Sequence, residues 1–421
     1  MMILKKIQRI VFESKDIQKS TYLWNTAGGM ILAFQSVLIL VFLTHTAGIA
    51  EAGIFTLAYA NANLLLNIGK FGMRNFQVTD VTAAYTFREY RASRMVTCMV
   101  MLAVSLIYAV AAWRGGYSFE KSLIMFFMAL FRMPDAIEDV YAAQLQKKGR
   151  LDAASKAMTF RLVSALLVFL AGTLVTEKLL PSLTMAVCWT DLVLYAEIKV
   201  FDERAEGSQG RRGLFRRAAG ICLECFPLFA GDFLSFYITA APRYAIDACL
   251  GDTVQAQYGF IFMPVFVISL LNGFWFHPML HRLSQAWEEG KTEIFFRNIR
   301  IQTVRIAAIT AVCMAGAWIC GIPVLSLLYN TDLSPYRGQL MILLAGGGFC
   351  AGCALLGAVI TIMRKQKWML YGYAAAALLA LLFAEKCVRM TGITGASMLY
   401  TGLQAGLAVC FTGIVMCCKK G

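Results

Sequence analysis

Runs of about 20 predominantly apolar residues recur along almost the whole sequence, separated by short polar stretches. A helix of about 20 residues is the length needed to cross the hydrocarbon core of a bilayer, which is about 30 Å thick. Because 59% of the 421 residues are hydrophobic and only 15% are charged, the composition excludes a soluble multidomain enzyme. We predict twelve transmembrane helices, at 22–44, 52–73, 95–113, 121–144, 157–176, 181–200, 218–241, 257–280, 301–327, 338–363, 368–385 and 394–416.

Basic residues are distributed unevenly between the two sides of these predicted helices. Of the 39 Lys and Arg residues, 29 fall on one side, including Arg94, and seven on the other, including Arg243. The remaining three, Lys70, Arg132 and Arg161, lie within helices. Because cytoplasmic loops carry the excess of basic residues, we predict an all-α polytopic membrane protein with both termini in the cytoplasm. The net charge of +14 then indicates orientation and no nucleic-acid partner.

A polar stretch at 201–217, the longest hydrophilic loop, divides the predicted helices into two equal sets. We predict an N-lobe of six helices at 22–200, a cytoplasmic linker at 201–217, a C-lobe of six helices at 218–416 and a cytoplasmic tail at 417–421. Two lobes of equal helix number are typical of transporters built from repeats. Within 1–21, isoleucines and lysines recur at helical spacing, which predicts an amphipathic helix on the cytoplasmic membrane surface.

Motifs for nucleotide, metal or covalent chemistry are absent from the sequence. Two Cys-x-x-Cys pairs, at 222–225 and 350–353, lie in apolar runs without a second pair at zinc-like spacing. The glycine run at 346–348 lies inside a predicted helix and cannot cradle a phosphate there. Gly348 and Gly352 are spaced instead for close contact between helices. We therefore expect no catalytic residue, no cofactor and no metal, and a protein that is not an enzyme.

The second predicted helix carries a polar stripe. At 100° per residue, an arc of about 80° contains Thr56, Tyr59, Asn63, Asn67, Lys70 and Arg74. Ionisable groups within membrane helices are costly unless they face water or a partner, and they are candidates for function. The stripe predicts a helix that lines an aqueous, cationic cavity. In the alternative interpretation, Lys70 and Arg74 extend to the cytoplasmic interface and the asparagines bond to neighbouring helices.

The fourth predicted helix carries a cluster of charges, with Arg132, Asp135 and Asp139 on one face and Glu138 beside them. Arg132 and Asp135 are spaced i, i+3 and partly neutralise each other. Crowded carboxylates favour proton binding, which makes Asp135 and Asp139 candidates for ion coupling. A structural cluster of ion pairs that ties helices together is the alternative.

Other predicted helices carry isolated polar groups. Asp232 and Ser235 share one face of the seventh helix, Asn272 lies in the eighth and Arg161 in the fifth. We predict Asp232 as a further ion-coupling candidate, and Ser235 and Asn272 as polar residues that line the cavity. Each also has the simpler interpretation of a hydrogen bond between helices.

Four short motifs resemble those of bacterial polysaccharide flippases. They lie at 20–28, 51–55, 71–75 and 241–247, and the last, Ala-Pro-Arg-Tyr-Ala-Ile-Asp, is the most specific. The sequence is thereby similar to the multidrug/oligosaccharidyl-lipid/polysaccharide exporter superfamily. The resemblance implies a two-lobed, twelve-helix carrier in the bacterial cytoplasmic membrane. Such a carrier moves undecaprenyl-diphosphate-linked oligosaccharides from the inner to the outer leaflet by alternating access, for the biosynthesis of surface polysaccharide such as lipopolysaccharide.

The resemblance also implies partners: a lipid-linked oligosaccharide, membrane lipids, and a polymerase and glycosyltransferases of the same pathway. Relatives with this fold use a cationic cavity, which Arg74, Lys70, Arg132 and Arg161 could supply here to bind the diphosphate. A multidrug exporter of the same superfamily is one alternative, although the first helix has no acid between Asp16 and Glu51. A membrane-embedded polysaccharide polymerase or ligase is another, although the outer loops hold few groups to position an acceptor.

Overall fold

A computed structural model describes residues 11–80, 84–205 and 213–419. These residues fold into helices joined by short loops, and no strand occurs among them. Eleven helical segments of this described part are long and apolar enough to cross a membrane. The chain is therefore an all-α, multi-pass membrane protein, as predicted.

Each predicted span coincides with helical structure, although several helices are longer than predicted. The first seven are α1 Ile17–Thr46, α2 Ile49–Lys70, α3 Met73–Thr79, α4 Phe87–Arg114, α5 Phe119–Lys147, α6 Leu151–Thr176 and α7 Leu179–Ala205. The next seven are α8 Leu214–Leu250, α9 Asp252–Glu288, α10 Thr292–Gly316, α11 Ile322–Leu328, α12 Arg337–Ile362, α13 Gln366–Thr391 and α14 Ile393–Lys419. One π-helical turn, Ala317–Gly321, joins α10 to α11, and a 3₁₀ turn, Ser334–Tyr336, precedes α12.

Helix α5 is the one predicted transmembrane helix that is not among these eleven apolar segments. It is 29 residues long, which is enough to cross a bilayer, but charged residues interrupt its apolar surface. Most of these charges are buried inside the protein, including Arg132, Glu138 and Asp139. The count of twelve transmembrane helices depends on α5 and stays a prediction.

The chain forms two compact units, one up to Phe233 and the other from Leu234. This boundary lies inside α8, whereas the sequence places the division at 201–217, of which residues 206–212 lie outside the described part. The reason is that the first half of α8 packs on the first unit. Phe229 stacks on Phe71 with ring centroids 4.2 Å apart, and the Ser93 hydroxyl donates to the Ala218 carbonyl at 2.9 Å.

Helix α5 is the centre of the first unit and contacts α2, α3, α4, α6 and α7. The Ser118 side chain caps its N-terminus by accepting a hydrogen bond from the Lys121 amide at 3.1 Å. Its small and apolar side chains, such as Ala129, Ala136 and Val140, are fully buried in the core of this unit. The buried charged side chains of α5, such as Arg132, Glu138 and Asp139, are therefore surrounded by other helices.

The predicted surface helix at 1–21 is only partly described, because residues 1–10 lie outside the described part. Residues 17–21 belong to α1, so the prediction is wrong there. Phe12 is buried against the ring of Phe201 and under the guanidinium of Arg150 rather than lying on a membrane surface. The Ser14 hydroxyl donates to the Asp152 carboxylate at 2.6 Å. These contacts fix the segment before α1 to the start of α6.

Helix α12 is the centre of the second unit and contacts α9, α10 and α14. Its three consecutive glycines face these three neighbours. A Cβ atom at Gly346 would meet Tyr400 and Thr401, one at Gly347 would meet Val265, and one at Gly348 would meet Thr310, each at 2.9 Å or less. The prediction of close packing is confirmed for Gly348, whereas Gly352 has no atom within 4 Å of a Cβ and the prediction is wrong there.

Candidate functional site

A cavity of about 250 Å³ lies inside the first unit and is lined by most of the charged residues predicted for the site. Helices α1, α2, α3, α5 and α6 form its walls. Its polar lining consists of Asn25, Lys70, Arg74, Asp135, Glu138, Asp139, Ser155 and Arg161. We call this space the charged cavity.

Two carboxylates of α5 hold the arginine of α6 at one side of the charged cavity. Arg161 donates to Asp135 at 2.7 Å and to Glu138 at 2.6 and 3.0 Å. Asp135 also pairs with Arg132 at 2.6 Å, the i, i+3 pair that the sequence predicted. Each of these four side chains is less than one-tenth exposed. The ion pairs therefore tie α5 to α6 in a site with little water.

The carboxylate of Asp139 lies at the other side of the cavity and accepts from two guanidinium groups. Arg74 of α3 donates to it at 3.2 Å, and Arg94 of α4 donates at 3.1 Å. Arg94 is fully buried, and it also donates to the Gly69 carbonyl at the end of α2. Arg74 donates in addition to the Gln146 amide oxygen at 3.3 Å. This carboxylate therefore joins three helices.

The Lys70 ammonium group is the lining cation without an ion pair in the described part of the chain. The side chain is half-buried at the last residue of α2 and lines the charged cavity. Arg74 is paired through only part of its fork, and its side chain is 37% exposed. A guanidinium can bind an oxyanion through two parallel hydrogen bonds, and an ammonium acts as a point charge. Lys70 and Arg74 are consequently the groups most available to a ligand.

A break after α2 places Arg74 beside the cavity. Phe71 and Gly72 both adopt left-handed conformations, with φ of 49° and 64°, so α2 ends at Lys70 and α3 begins at Met73. The predicted polar stripe assumed one continuous helix, and this assumption is wrong for Arg74. The residue still lines the cavity, because α3 turns back along α5 and the Gln77 amide donates to the Val140 carbonyl at 3.2 Å.

Asp80 connects the end of α3 with α4 and with α5. Its carboxylate accepts from the amide groups of Ala84 and Tyr85 and from the Tyr90 hydroxyl at 3.0 to 3.3 Å, and the Lys147 ammonium donates to its carbonyl at 2.7 Å. Burial alone would raise the pKa of the carboxyl, but these hydrogen bonds and the charge of Lys147 outweigh it and lower the pKa below its usual value. Asp80 thus anchors the end of α3 to the end of α5.

Several predicted residues do not line the charged cavity. Arg132 is buried beside it, paired with Asp135 and positioned over the Tyr59 ring at 5.4 Å. The stripe residues Asn63 and Asn67 are half-buried, and the Asn67 side chain donates to the Asn63 carbonyl of its own helix at 2.9 Å. Tyr59, Asn63, Asn67 and Arg132 therefore do not line the charged cavity together with Lys70 and Arg74.

The remaining predicted residues are dispersed. Asp232 is exposed near the end of the first unit, and Ser235 is half-buried near the start of the second unit. Asn272 lines a separate cavity of about 230 Å³ within the second unit, together with Ser269 and Gln302. None of the three lines the charged cavity. The predicted role of Asn272 in the cationic cavity therefore stays a prediction.

Three members of the charged cluster are not among the site residues that the sequence predicts. Arg94 sorts with the cytoplasmic basic residues that flank the third predicted span. Glu138 is predicted to lie beside the charged face of the fourth helix, without a role of its own. Glu197 of α7 is buried with both carboxylate oxygens lacking a hydrogen bond in the described part of the chain, and it interacts electrostatically with Glu138 and Arg161. The signal for Glu197 was available, because an ionisable residue inside a predicted span is always a candidate.

Comparisons with known proteins identify the fold. The lipid II flippase MurJ in an inward closed conformation matches with a TM-score of 0.69 at 11% identity, over 95% of this chain and 87% of that one. An inward-facing multidrug resistance MATE family transporter of the MOP superfamily matches with a TM-score of 0.64 at 11% identity, over 91% and 94% of the two chains.

The chain shares its fold with these transporters. A MOP-superfamily transporter from Pyrococcus furiosus matches over 97% of both chains, with a TM-score of 0.56 at 11% identity. No protein-family model matches the sequence, and the comparison with curated proteins found no match. The resemblance predicted from the four short motifs is confirmed at the level of the MOP fold.

The charged cluster combines excess positive charge with partial access to water. Its five basic residues, Lys70, Arg74, Arg94, Arg132 and Arg161, outnumber its four carboxylates, of which Asp135, Asp139 and Glu138 are paired and Glu197 forms no ion pair among the described residues. The paired groups fix the geometry of the walls. Lys70 and the exposed part of Arg74 are left to interact with an anion that enters the cavity.

Proposed function

We propose that the protein translocates undecaprenyl-diphosphate-linked oligosaccharides from the inner to the outer leaflet of a bacterial cytoplasmic membrane by alternating access. The observation that carries this proposal is that Lys70 has no ion-pair partner among the described residues and lies with the partly exposed Arg74 in a cavity inside the first unit. A diphosphate is a compact anion that both groups recognise by charge and hydrogen bonding. The fold supports the proposal because one protein that shares it is a lipid II flippase.

Transport of this cargo places the protein in surface polysaccharide biosynthesis. Glycosyltransferases would supply the lipid-linked oligosaccharide and a polymerase would consume it on the other side. The lipid portion would remain in contact with membrane lipids while the headgroup crosses. In this proposal the protein itself breaks no covalent bond.

The acidic residues of the cavity favour a structural role over ion coupling. Asp135 contacts two arginines and Asp139 contacts two others, so each carboxylate is already neutralised by guanidinium groups. A coupling site must release its partner to take up a cation. We infer that Asp135 and Asp139 hold the helices together, as in the alternative interpretation of their sequence pattern.

The experiment that tests the proposal measures flipping of a fluorescent lipid-diphosphate oligosaccharide in proteoliposomes. Charge-assisted hydrogen bonds contribute roughly 1.5 to 3 kcal/mol, so Lys70→Gln and Arg74→Gln are each expected to reduce translocation by about tenfold or more. Matched controls are Lys178→Gln and Arg114→Gln, which alter exposed residues outside the cavity and should leave the rate unchanged. Full activity of both cavity variants would contradict the proposed anion site.

Multidrug export is the second candidate, because three carboxylates line the same cavity and a MATE multidrug transporter shares the fold. The two functions differ in the charge of the cargo. In the same vesicles, a cationic dye such as ethidium should not be transported if the cargo is anionic. Transport of the dye by the wild-type protein, together with no flipping of the lipid diphosphate, would instead establish the exporter.

A further inference from the structure

Arg243 belongs to the most specific of the sequence motifs, the segment 241–247, yet the charged cavity does not include it. The charge distribution predicts that Arg243 lies in a loop on the outer side of the membrane. In the structure α8 continues to Leu250, so Arg243 lies inside this helix, seven residues before its predicted outer end. The second unit, which starts at Leu234, contains this part of α8.

The surroundings of the Arg243 guanidinium are apolar and aromatic. Its carbon Cζ lies over the Phe262 ring, 4.8 Å from the centroid. The Nε atom is buried without a hydrogen-bond partner in the described part of the chain, and the residue as a whole is half-buried. Tyr244, Tyr258 and Tyr400 are the titratable groups close enough to interact with its charge. No carboxylate of the described residues forms an ion pair with it, although Asp247 follows one turn later.

Arg243 differs in this respect from the buried arginines of the first unit. Arg94, Arg132 and Arg161 are each paired with a carboxylate within 3.1 Å. A guanidinium withdrawn from water without an anion is destabilising, and a cation–π contact offsets only part of that cost. Tyr258 adds a second unused group, because its hydroxyl is buried and has no partner in the described part of the chain. Two hydrogen-bond donors are therefore present where their acceptor is missing.

We propose that Arg243 and Tyr258 form a second anion site, in the second unit, that binds a phosphate group. The guanidinium fork presents parallel N–H donors that match two phosphate oxygens, Phe262 holds the plane of the fork, and the Tyr258 hydroxyl donates a further hydrogen bond. The site extends the proposed function, on which its physiological role rests, by giving the diphosphate a binding group in each unit. A phospholipid headgroup carries the same chemistry and is the other source of a phosphate.

Binding of inorganic pyrophosphate to the purified full-length protein in detergent tests this proposal by calorimetry. The wild type should show two sites, Arg243→Gln should lose one with at least about a tenfold loss of affinity, and Lys70→Gln/Arg74→Gln should lose the other. The matched control is Arg337→Gln, because Arg337 also lies over an aromatic ring, that of Trp318 at 4.8 Å, but is exposed and donates to a backbone carbonyl. An unchanged stoichiometry in Arg243→Gln would overturn the proposal.

The source of the phosphate is distinguished by repeating the titration in nanodiscs of phosphatidylglycerol. Selective loss of pyrophosphate binding at the Arg243 site would identify a lipid headgroup as its occupant. Retention of both sites would assign the Arg243 site to a phosphate that arrives from outside the lipid, as a diphosphate cargo does. Both results support an anion site.

Thermal unfolding supplies a readout that a purely structural arginine would not give. Without an anion, Arg243→Gln should melt at the same temperature as the wild type or higher, because an uncompensated charge is removed. Pyrophosphate should raise the melting temperature of the double variant Lys70→Gln/Arg74→Gln. It should not change the melting temperature of the triple variant that also carries Arg243→Gln. A large fall in melting temperature on Arg243→Gln with an undiminished response to pyrophosphate would overturn the site. Neither measurement needs translocation, so a failed transport assay would not affect this test.

Discussion

Asp139 shows how single side chains stabilise charge inside this protein. Its carboxylate accepts from Arg94, which is completely buried, and from Arg74, which is partly exposed. Removing one member of a buried ion pair leaves the other without compensation, which costs about 3 to 5 kcal/mol. The structural importance of Asp139 therefore follows from the burial of Arg94 more than from its contact with Arg74.

Asp139→Asn is accordingly expected to lower the free energy of unfolding by about 3 kcal/mol or more. The measurement is thermal or chemical unfolding of the purified protein in detergent. Asp232→Asn is the matched control, since Asp232 is exposed and has no ion pair among the described residues, and its stability should stay close to that of the wild type. Equal melting temperatures for the two variants would show that Arg94 does not depend on Asp139.

Individual site residues were predictable where a charged residue lies within a long apolar segment of the sequence. Lys70, Asp135 and Arg161 are such residues, and in the structure they line one cavity. Arg94 is not such a residue, because it lies near the end of an apolar run where a basic residue also serves as an orientation signal. Its role depends on Gly69 and Asp139, which are distant in the sequence, and pairings of that kind leave no periodic pattern.

Helices were predictable as elements, but not the places where they break. Periodicity identified α2 correctly up to Lys70 and then extrapolated through Phe71 into α3. A non-glycine residue in the left-handed region is uncommon, and only Gly72 signalled a turn. The close fit is tertiary: a Cβ at Gly72 would lie 3.0 Å from the Cβ of Leu228. The break depends on a helix that comes 150 residues later in the chain.

The glycine run of α12 gives a prediction at the same scale. Gly348→Ala would place a methyl group 2.7 to 3.2 Å from Thr310, so α12 and α10 must separate, and overpacking of this kind costs about 1 to 3 kcal/mol. Gly352→Ala, one turn later on the same helix, meets no atom within 4 Å and should be neutral or slightly stabilising. Comparison of their melting temperatures in detergent checks this, and equal values would contradict close contact at Gly348.

The MOP fold of the whole molecule was predictable from coarse signals: the number and spacing of apolar runs, the charge distribution and four short motifs. The division into two units was not, because the first half of α8 packs on the first unit through contacts such as Tyr85 to Glu224, at 2.7 Å. Hydropathy describes how a segment meets lipid and carries no information on which helices it packs against. For the same reason hydropathy does not identify α5 as a transmembrane helix, because it cannot show that the buried charges of α5 form ion pairs.

Helix α5 consequently decides the topology of the complete chain. If α5 crosses the membrane, the loops before and after it lie on opposite sides and an even number of spans returns both termini to one side. If α5 lies within one leaflet, every later helix is inverted, and the 29 basic residues no longer share a side. Since a paired arginine and carboxylate together are less costly in the membrane than either alone, we expect α5 to cross.

Short epitope tags inserted after Gly116 and after Gly149, on either side of α5, test this expectation in the full-length chain. In sealed inside-out vesicles, antibody should reach the tag at 149 and a tag at the C-terminus, but not the tag at 116. The two internal glycines have positive φ and open space around them, so small insertions there disturb no packing. Equal accessibility of the two internal tags would show that α5 does not span the membrane, and the assignment of both termini to the cytoplasm would fail with it.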